Sequence, residues 1–558
     1  MTIESVQVLV AFALYLVGIA AFGYLAHRYL EKGDFVKQYF LGNRGLGAWV
    51  LALTVAATAI SGGTFMGFPS LIYSNGWVMA MWIASYMVVP LLAMAMMGKR
   101  VNQVARISGA VTVPDVFRDR FNMPVLGIVA SLLILLFLAF NLVAQFKGGG
   151  LVMKEALGLP PQGVPIPWLA EPVDLGYLIG LLIFSVTVVA YTTYGGFWAV
   201  TWTDVFEGAV MFVGVVILAI LAVSAVPPTE DGQTGLAAAT VHLSKMTPPN
   251  GAEGDLVVGP GPGGFLAIGL AFSFYLIWAL NNPGVPATHV RLMSFKDTPS
   301  LRKAIAVVAV YYLITYLCLI VIFICARAIF PVEYLKDVGT EGQPDSIMPA
   351  MIRRLAHPLL AGLLLAAPYA AIMSTVAAFL LMISSSLVRD LYQRTINPKA
   401  SPETLKRTSY TITALVGFVV VLAALNPPKF LQYIIVFTGT GQGCAFLIPM
   451  LLTLYWKRAT GPGVLSGMLG GFLAVFGLYV LGWLSTWSLG ESAGLAGGLN
   501  GAFGWLPGWG VKPHDSFAPL YLLGVDPIVW GTVAALGLAV GVSLMTRPDE
   551  EQVRKYYP

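Results

Sequence analysis

Apolar runs of about 20 residues, long enough to cross a bilayer as helices, recur along nearly the whole chain. About thirteen can be delimited, at roughly 5–28, 47–73, 75–98, 124–157, 175–194, 202–226, 263–290, 303–328, 358–392, 408–426, 428–456, 461–484 and 526–546. Two of them carry helix breakers at mid-depth. The second, LALTVAATAISGGTFMGFPSLIY, has Ser61–Gly62–Gly63 and then Pro69; the seventh, LAIGLAFSFYLIWALNNPGVPATHV, has Asn281–Asn282–Pro283–Gly284 and Pro286. Proline removes a helix donor and glycine lowers the cost of unwinding, and carbonyls so freed persist at membrane depth only where they line a cavity or bind something. Either break alone is also what a plain kink would look like. Their spacing says more, because the two spans open successive groups of five, spans two to six and seven to eleven. Five is odd, so the groups run in opposite senses, as inverted repeats with a site at their interface do.

Composition agrees with the pattern. The 558 residues are 57% hydrophobic and only 11% charged, with a mean hydropathy of +0.79, whereas soluble domains carry roughly 25% charged residues. The chain therefore reads as an all-α integral membrane protein embedded in lipid. No polar stretch of about 100 residues remains for a soluble catalytic domain, so no enzyme is expected. The first span follows only MTIES and reads as a retained helix, not a signal peptide. Cys318, Cys325 and Cys444 form neither a disulfide framework nor a zinc pattern.

The net charge of +5 reports topology and not nucleic acid. Lys and Arg collect in alternate connections: Arg28 to Arg44, Lys99 to Arg120, Arg291 to Lys303, Arg389 to Arg407, Lys457–Arg458, and the tail with Arg547, Arg554 and Lys555. The positive-inside rule then places the N-terminus outside, the C-terminus in the cytoplasm and the protein in the cell (inner) membrane. The loop 329–357, with Lys336, Arg353 and Arg354 among acids, is the exception and is long enough for short helices of its own. The domains expected are an extra N-terminal helix (1–38), a first five-helix repeat (39–226), an outside loop (227–262), a second repeat (263–456), and two C-terminal helices (457–558). Within the last, the Gly- and Trp-rich segment 485–525 is expected to cap the membrane interface.

The ninth span, centred on PYAAIMSTVAAFLLMISSSLVRDLY, puts Ser374 beside Thr375 in its middle. Hydroxyls there bond back to carbonyls a turn earlier or join helices; alternatively, together with carbonyls freed at the broken helices, they hold a sodium ion. Lys147, in AFNLVAQFKGGGLVM, is unusual at membrane depth. It either snorkels to the interface or offers a counter-charge to a carboxylate on the solute, with Asn141 and Gln145 beside it.

Four segments resemble the sodium:solute symporter family: YFLGNRGLGAWVLALTVAATAISGGTFMGFPS (39–70), YTTYGGFWAVTWTDVFEGAVM (191–211), AAIMSTVAAFLLMISSSLVRDLY (370–392) and FLIPMLLTLYWKRATGPGVLSGMLGG (446–471). The resemblance implies a LeuT-type 5+5 inverted repeat with discontinuous helices, working as a sodium-coupled symporter by alternating access, with a monomer sufficient for transport. It implies Na+ held by the carbonyls of Ala57, Ile60 and Ala371 and the hydroxyls of Ser374 and Thr375. An all-oxygen, neutral shell suits such an ion, since calcium or magnesium calls for carboxylates. Asp204 would assist sodium release, although Thr203 and Glu207 around it also suit a helix N-cap. Trp278, Asn282 and Pro286 would meet the solute with Ser61, Gly62 and Gln442, though each also suits packing. YFLGNR, AAPYAAIMST and SFKDTPSLRKA resemble the family's pantothenate permeases, implying a small monocarboxylate, pantothenate first. Pro286–Ala287 with His289 departs from that branch, and Ala59 stands where several proline-transporting relatives carry an aspartate. A proton-coupled or uncoupled carrier of an amino acid or sugar is the alternative on the same fold.

Overall fold

A computed structural model describes residues 3–30, 35–159, 162–169, 171–246, 254–259, 261–262, 266, 268–330, 344–426, 431–487 and 519–557. After the first helix, α1 (Ile3–Leu30), the second apolar run forms α2 (Ala48–Ala59) and α3 (Phe68–Asn75), joined by Ile60 to Gly62 and a wide π-helical turn, Gly63–Gly67. The two halves are bent by 56°. Ile60 is extended (φ −85°, ψ 115°), which ends α2. Pro69 falls in the first turn of α3, where its missing N–H is not needed.

The chain continues through α4 (Trp77–Ser108) and α5 (Pro124–Leu157) to α6 (Leu175–Ala225). This 51-residue run covers both the fifth and the sixth expected spans, which meet at a kink at Gly196 (φ 54°, ψ −149°). A Cβ at Gly196 would lie 2.4 Å from the Tyr39 ring, so both the left-handed backbone and the close ring require glycine.

The seventh run is again broken, into α7 (Ile268–Gly284) and α8 (Pro286–Ser294), with Val285 extended between them and Pro286 opening the second half. His289 bonds the Pro283 carbonyl at 2.7 Å across the break. Gly284 sits against the backbone of Gly443, where a Cβ would come within 2.8 Å of its Cα. Then follow α9 (Thr298–Ile329), α10 (Pro358–Ile396), α11 (Pro402–Ala424), α12 (Leu431–Tyr455), α13 (Gly461–Trp487), α14 (Pro527–Met545) and the short α15 (Glu550–Tyr556).

Among the described residues ten helices are long and apolar enough to cross a membrane, or eleven with the bent α2–α3 pair. The expected count of thirteen is not reached on that criterion. α6 spans two expected segments as one run, and α7 has only 17 residues before its break. Burial orders the helices: the most apolar stretch of α10 is 94% buried and that of α12 89%, whereas α11 and α14 are 28% buried. The outer helices turn residues such as Leu415, Phe418 and Val533 outward, as a lipid face requires. A chain that buries α10 on every side places Ser374 and Thr375 at the centre of the bundle.

The basic connections meet at one end. Arg44 donates to the carbonyls of Ala105 (2.8 Å) and Ala110 (2.7 Å), and Arg100 donates to the Tyr556 carbonyl (2.7 Å). Arg389 and Arg394 pair with Asp115 at 3.4 and 3.0 Å. The expected short helix in 329–357 is Ile347–Leu355. Most of the Gly/Trp-rich segment 485–525 lies outside the described residues.

Candidate functional site

The last carbonyls of a helix have no partner within it. At the end of α2 the Ala56 carbonyl accepts from the Ile60 N–H (2.9 Å), while those of Ala57, Thr58 and Ile60 are met by side chains of α10. The Ser374 hydroxyl lies 2.9 Å from the Ala57 carbonyl and 3.1 Å from that of Ala371. The Thr375 hydroxyl lies 3.1 Å from Ala371 O, 3.4 Å from Ile60 O and 3.5 Å from Thr58 O. Both hydroxyls therefore bond back along their own helix and also reach the broken one. All five residues named from the resemblance are brought together, and all are buried.

For a cation with oxygen ligands at about 2.3–2.6 Å, neighbouring ligands at right angles lie about 3.3–3.7 Å apart. The observed spacings are at or just below that range, so a shift of a few tenths of an ångström opens a cage for an ion of that size. The donors are neutral, which suits one positive charge. Among the described residues no group of three or more His, Cys, Asp or Glu gathers as a divalent metal would need.

Beside the cage lies a cavity of about 60 Å³, room for a few water molecules. Ser61, Asn141, Trp278, Asn282 and Gln442 line it, as does Thr375. The Trp278 Nε1, Asn281 Oδ1 and Gln442 Oε1 atoms have no hydrogen-bond partner among the described residues, although buried polar atoms almost always do. Gly62 and Gln145 stand one step behind the wall. The Gly62 N–H donates to Gln145 Oε1 (2.9 Å), Gln145 donates to Asn141 Oδ1 (3.0 Å), and Asn141 donates to Thr438 (2.8 Å). This relay ties the unwound segment of α2–α3 to α5 and α12. Pro286 opens α8 between Val285 and Ala287, which do line the cavity.

Lys147 requires a correction. It is absent from the cavity wall, and its ammonium lies 3.1 Å from Asp345 with both side chains buried. The same Asp345 oxygen accepts from the Leu431 N–H at the start of α12 (3.1 Å). The lysine thus neither snorkels nor faces a solute; it pins the turn at 344–346 to α5 and α12. A Lys147→Gln protein can keep a hydrogen bond to Asp345 but strands its buried charge, and should lose about 3–5 kcal/mol of stability. Its solute preference should not change, which competition for uptake by a panel of carboxylates and neutral solutes would check.

Of the two readings of Asp204, the N-cap is the one that fails. The residue sits inside α6, fully buried, 3.3 Å from Arg291 of α8. It accepts hydrogen bonds from Thr54 and from Thr58 (3.5 Å), so Thr58 touches Asp204 with its hydroxyl and the cage with its carbonyl. Arg291 was missed because, on the sequence alone, it is one more basic residue of a charged connection. Tyr86 was missed as an aromatic in an apolar run; it lines the cavity and stacks on Trp278 and on Tyr316, both at 4.6 Å.

The chain is similar to known transporters. The sodium:solute symporter family model matches residues 39–471. The sodium/pantothenate symporters of Haemophilus influenzae and of Escherichia coli are each 32% identical to the chain, over 86% of it and 90% of the first relative, and over 84% of it and 89% of the second. The osmoregulated proline transporter of Bacillus subtilis is 29% identical over 88% of the chain and 91% of that protein. A solved Na+-coupled sialic acid symporter, in a substrate-bound outward-open state, superposes with a TM-score of 0.66 at 18% identity, covering 96% of this chain and 98% of that one.

Proposed function

Because the chain belongs to the sodium:solute symporter family, with its LeuT-type fold and Na+ as coupling ion, we propose that it imports a small organic monocarboxylate, pantothenate foremost, by alternating access. Sodium is held by Ala57, Ile60, Ala371, Ser374 and Thr375, and the solute by the uncharged wall of Ser61, Asn141, Trp278, Asn282 and Gln442. The observation that carries this reading is the convergence of two hydroxyls on the freed carbonyls of a broken helix. The bound ion and the N-terminal end of α8, which reaches the wall at Ala287 and Thr288, give a carboxylate the positive field it needs where, among the described residues, no charged side chain lines the cavity. Two relatives named for pantothenate support that solute. Ala59 on the cavity wall leaves the site without the acid expected of a proline carrier. The end where the basic connections meet faces the cytoplasm, which puts the N-terminus outside.

Purified protein in proteoliposomes should take up labelled pantothenate in a saturable manner with sodium and not with potassium. One sodium moving with one monoanion carries no net charge, so where no third ion crosses in the same cycle a valinomycin-set potential, worth about 2.3 kcal/mol per charge per 100 mV, should leave the rate unchanged. Uptake without sodium would sink the coupling, and potential-driven uptake of a neutral competitor in preference to pantothenate would sink the solute.

A further inference from the structure

Glu207 lies one helical turn beyond Asp204 on the second limb of α6. It is fully buried, and the Tyr15 hydroxyl is the one hydrogen-bond donor facing its carboxyl among the described residues, short of ideal geometry. Its titratable neighbours are Asp204, Tyr15 of α1, Tyr191 on the first limb of α6 and Tyr369 of α10. The Tyr15 hydroxyl points to the Met373 sulfur (3.8 Å), and that of Tyr191 to the Met373 carbonyl (3.4 Å). From α9, the Tyr311 hydroxyl donates to the Gly208 carbonyl at 2.7 Å. From α2, Thr54 and Thr58 bond Asp204, and from α8 Arg291 pairs with Asp204, not with Glu207. An ionised carboxylate so placed would have the Tyr15 phenol as its one donor and no counter-charge, which a membrane interior does not sustain. A neutral acid removes the unpaired charge, the costlier of the two.

We propose that Glu207 is a proton-binding site linked to the sodium cage. The proton resides on the carboxyl while the cage lacks sodium and leaves for solvent when sodium arrives. One Na+ enters and one H+ departs, so the charge held among α2, α6 and α10 stays constant. The link is short: Asp204, a turn away, bonds the Thr58 hydroxyl, and the Thr58 carbonyl lies 3.5 Å from the Thr375 hydroxyl. By reciprocity, a sodium ion that expels the proton binds more tightly once the proton is gone. This rests on the sodium cage of the proposed function and adds to it a second ligand at a second place.

Titration calorimetry of the purified protein with sodium chloride, in buffers of different ionisation enthalpy, counts the protons exchanged. The wild-type protein should release up to one proton per sodium, and its sodium affinity should tighten about tenfold between about pH 5.5 and about pH 8.5. Glu207→Gln should bind sodium with no proton release and with an affinity that does not follow pH. Sodium binding by the wild type without proton release, or continued release by Glu207→Gln, overturns the proposal. Should Glu207→Gln fail to fold, the wild-type proton count decides alone. A wild-type protein that binds no sodium at any pH overturns the cage itself and this site with it.

Discussion

Changing Ser374 to Ala and Thr375 to Val together abolishes sodium-driven accumulation, whereas Thr375→Ser alone retains most of it. The double change removes two of five oxygens from the cage and leaves the Ala57 and Ile60 carbonyls facing hydrocarbon. A bond from a neutral group to a charged one contributes about 1.5–3 kcal/mol. Two of them set the loss of apparent sodium affinity at roughly 10²–10⁴-fold. Serine at position 375 keeps the hydroxyl on the same carbon and gives up only a methyl group. If the hydroxyls served only to join α2 to α10, the double variant would melt lower by about 1–2 kcal/mol of stability and keep its cation requirement. Initial uptake rates against sodium concentration, read beside a melting curve, separate the two outcomes.

What made this site legible in the sequence was local. Breaks at Ser61–Gly62 and at Asn282–Pro286 announce themselves, because proline and glycine act on their own backbone. The adjacency of Ser374 and Thr375 drew attention to α10, and the family resemblance supplied the carbonyls opposite. Pairings across the bundle were not legible. Arg291 and Asp204 are 87 residues apart and Lys147 and Asp345 are 198 apart, and no periodicity within a helix records which neighbour it will meet. The turn at Gly196 shows the same limit, for the pattern gives a gap between 194 and 202, yet the positive φ and the Tyr39 ring that demand glycine appear only in three dimensions.

Asp204→Asn should destabilise the protein severely and stop sodium turnover. Arg291 is 1% exposed, so removing its partner's charge strands a guanidinium among α2, α6 and α8. Breaking such a buried pair costs about 3–5 kcal/mol, a large part of the 5–15 kcal/mol that keeps a typical domain folded. Loss of transport by this variant alone therefore says nothing about a sodium path. Removing both charges, as in Asp204→Asn with Arg291→Gln, eliminates the stranded ion, and the double-mutant cycle should recover most of the lost stability. Thr58 decides what happens to transport in that recovered protein. Its hydroxyl bonds Asp204 and its carbonyl faces Thr375, so a sodium ion leaving the cage on this side meets the Asp204 carboxylate next. With that carboxylate gone the exit loses its attraction. Sodium-driven uptake should stay at least tenfold slow, a barrier of about 1.4 kcal/mol, although the protein is folded and sodium still binds. Uptake restored together with stability would make Asp204 purely a structural partner of Arg291 and would move the sodium exit elsewhere.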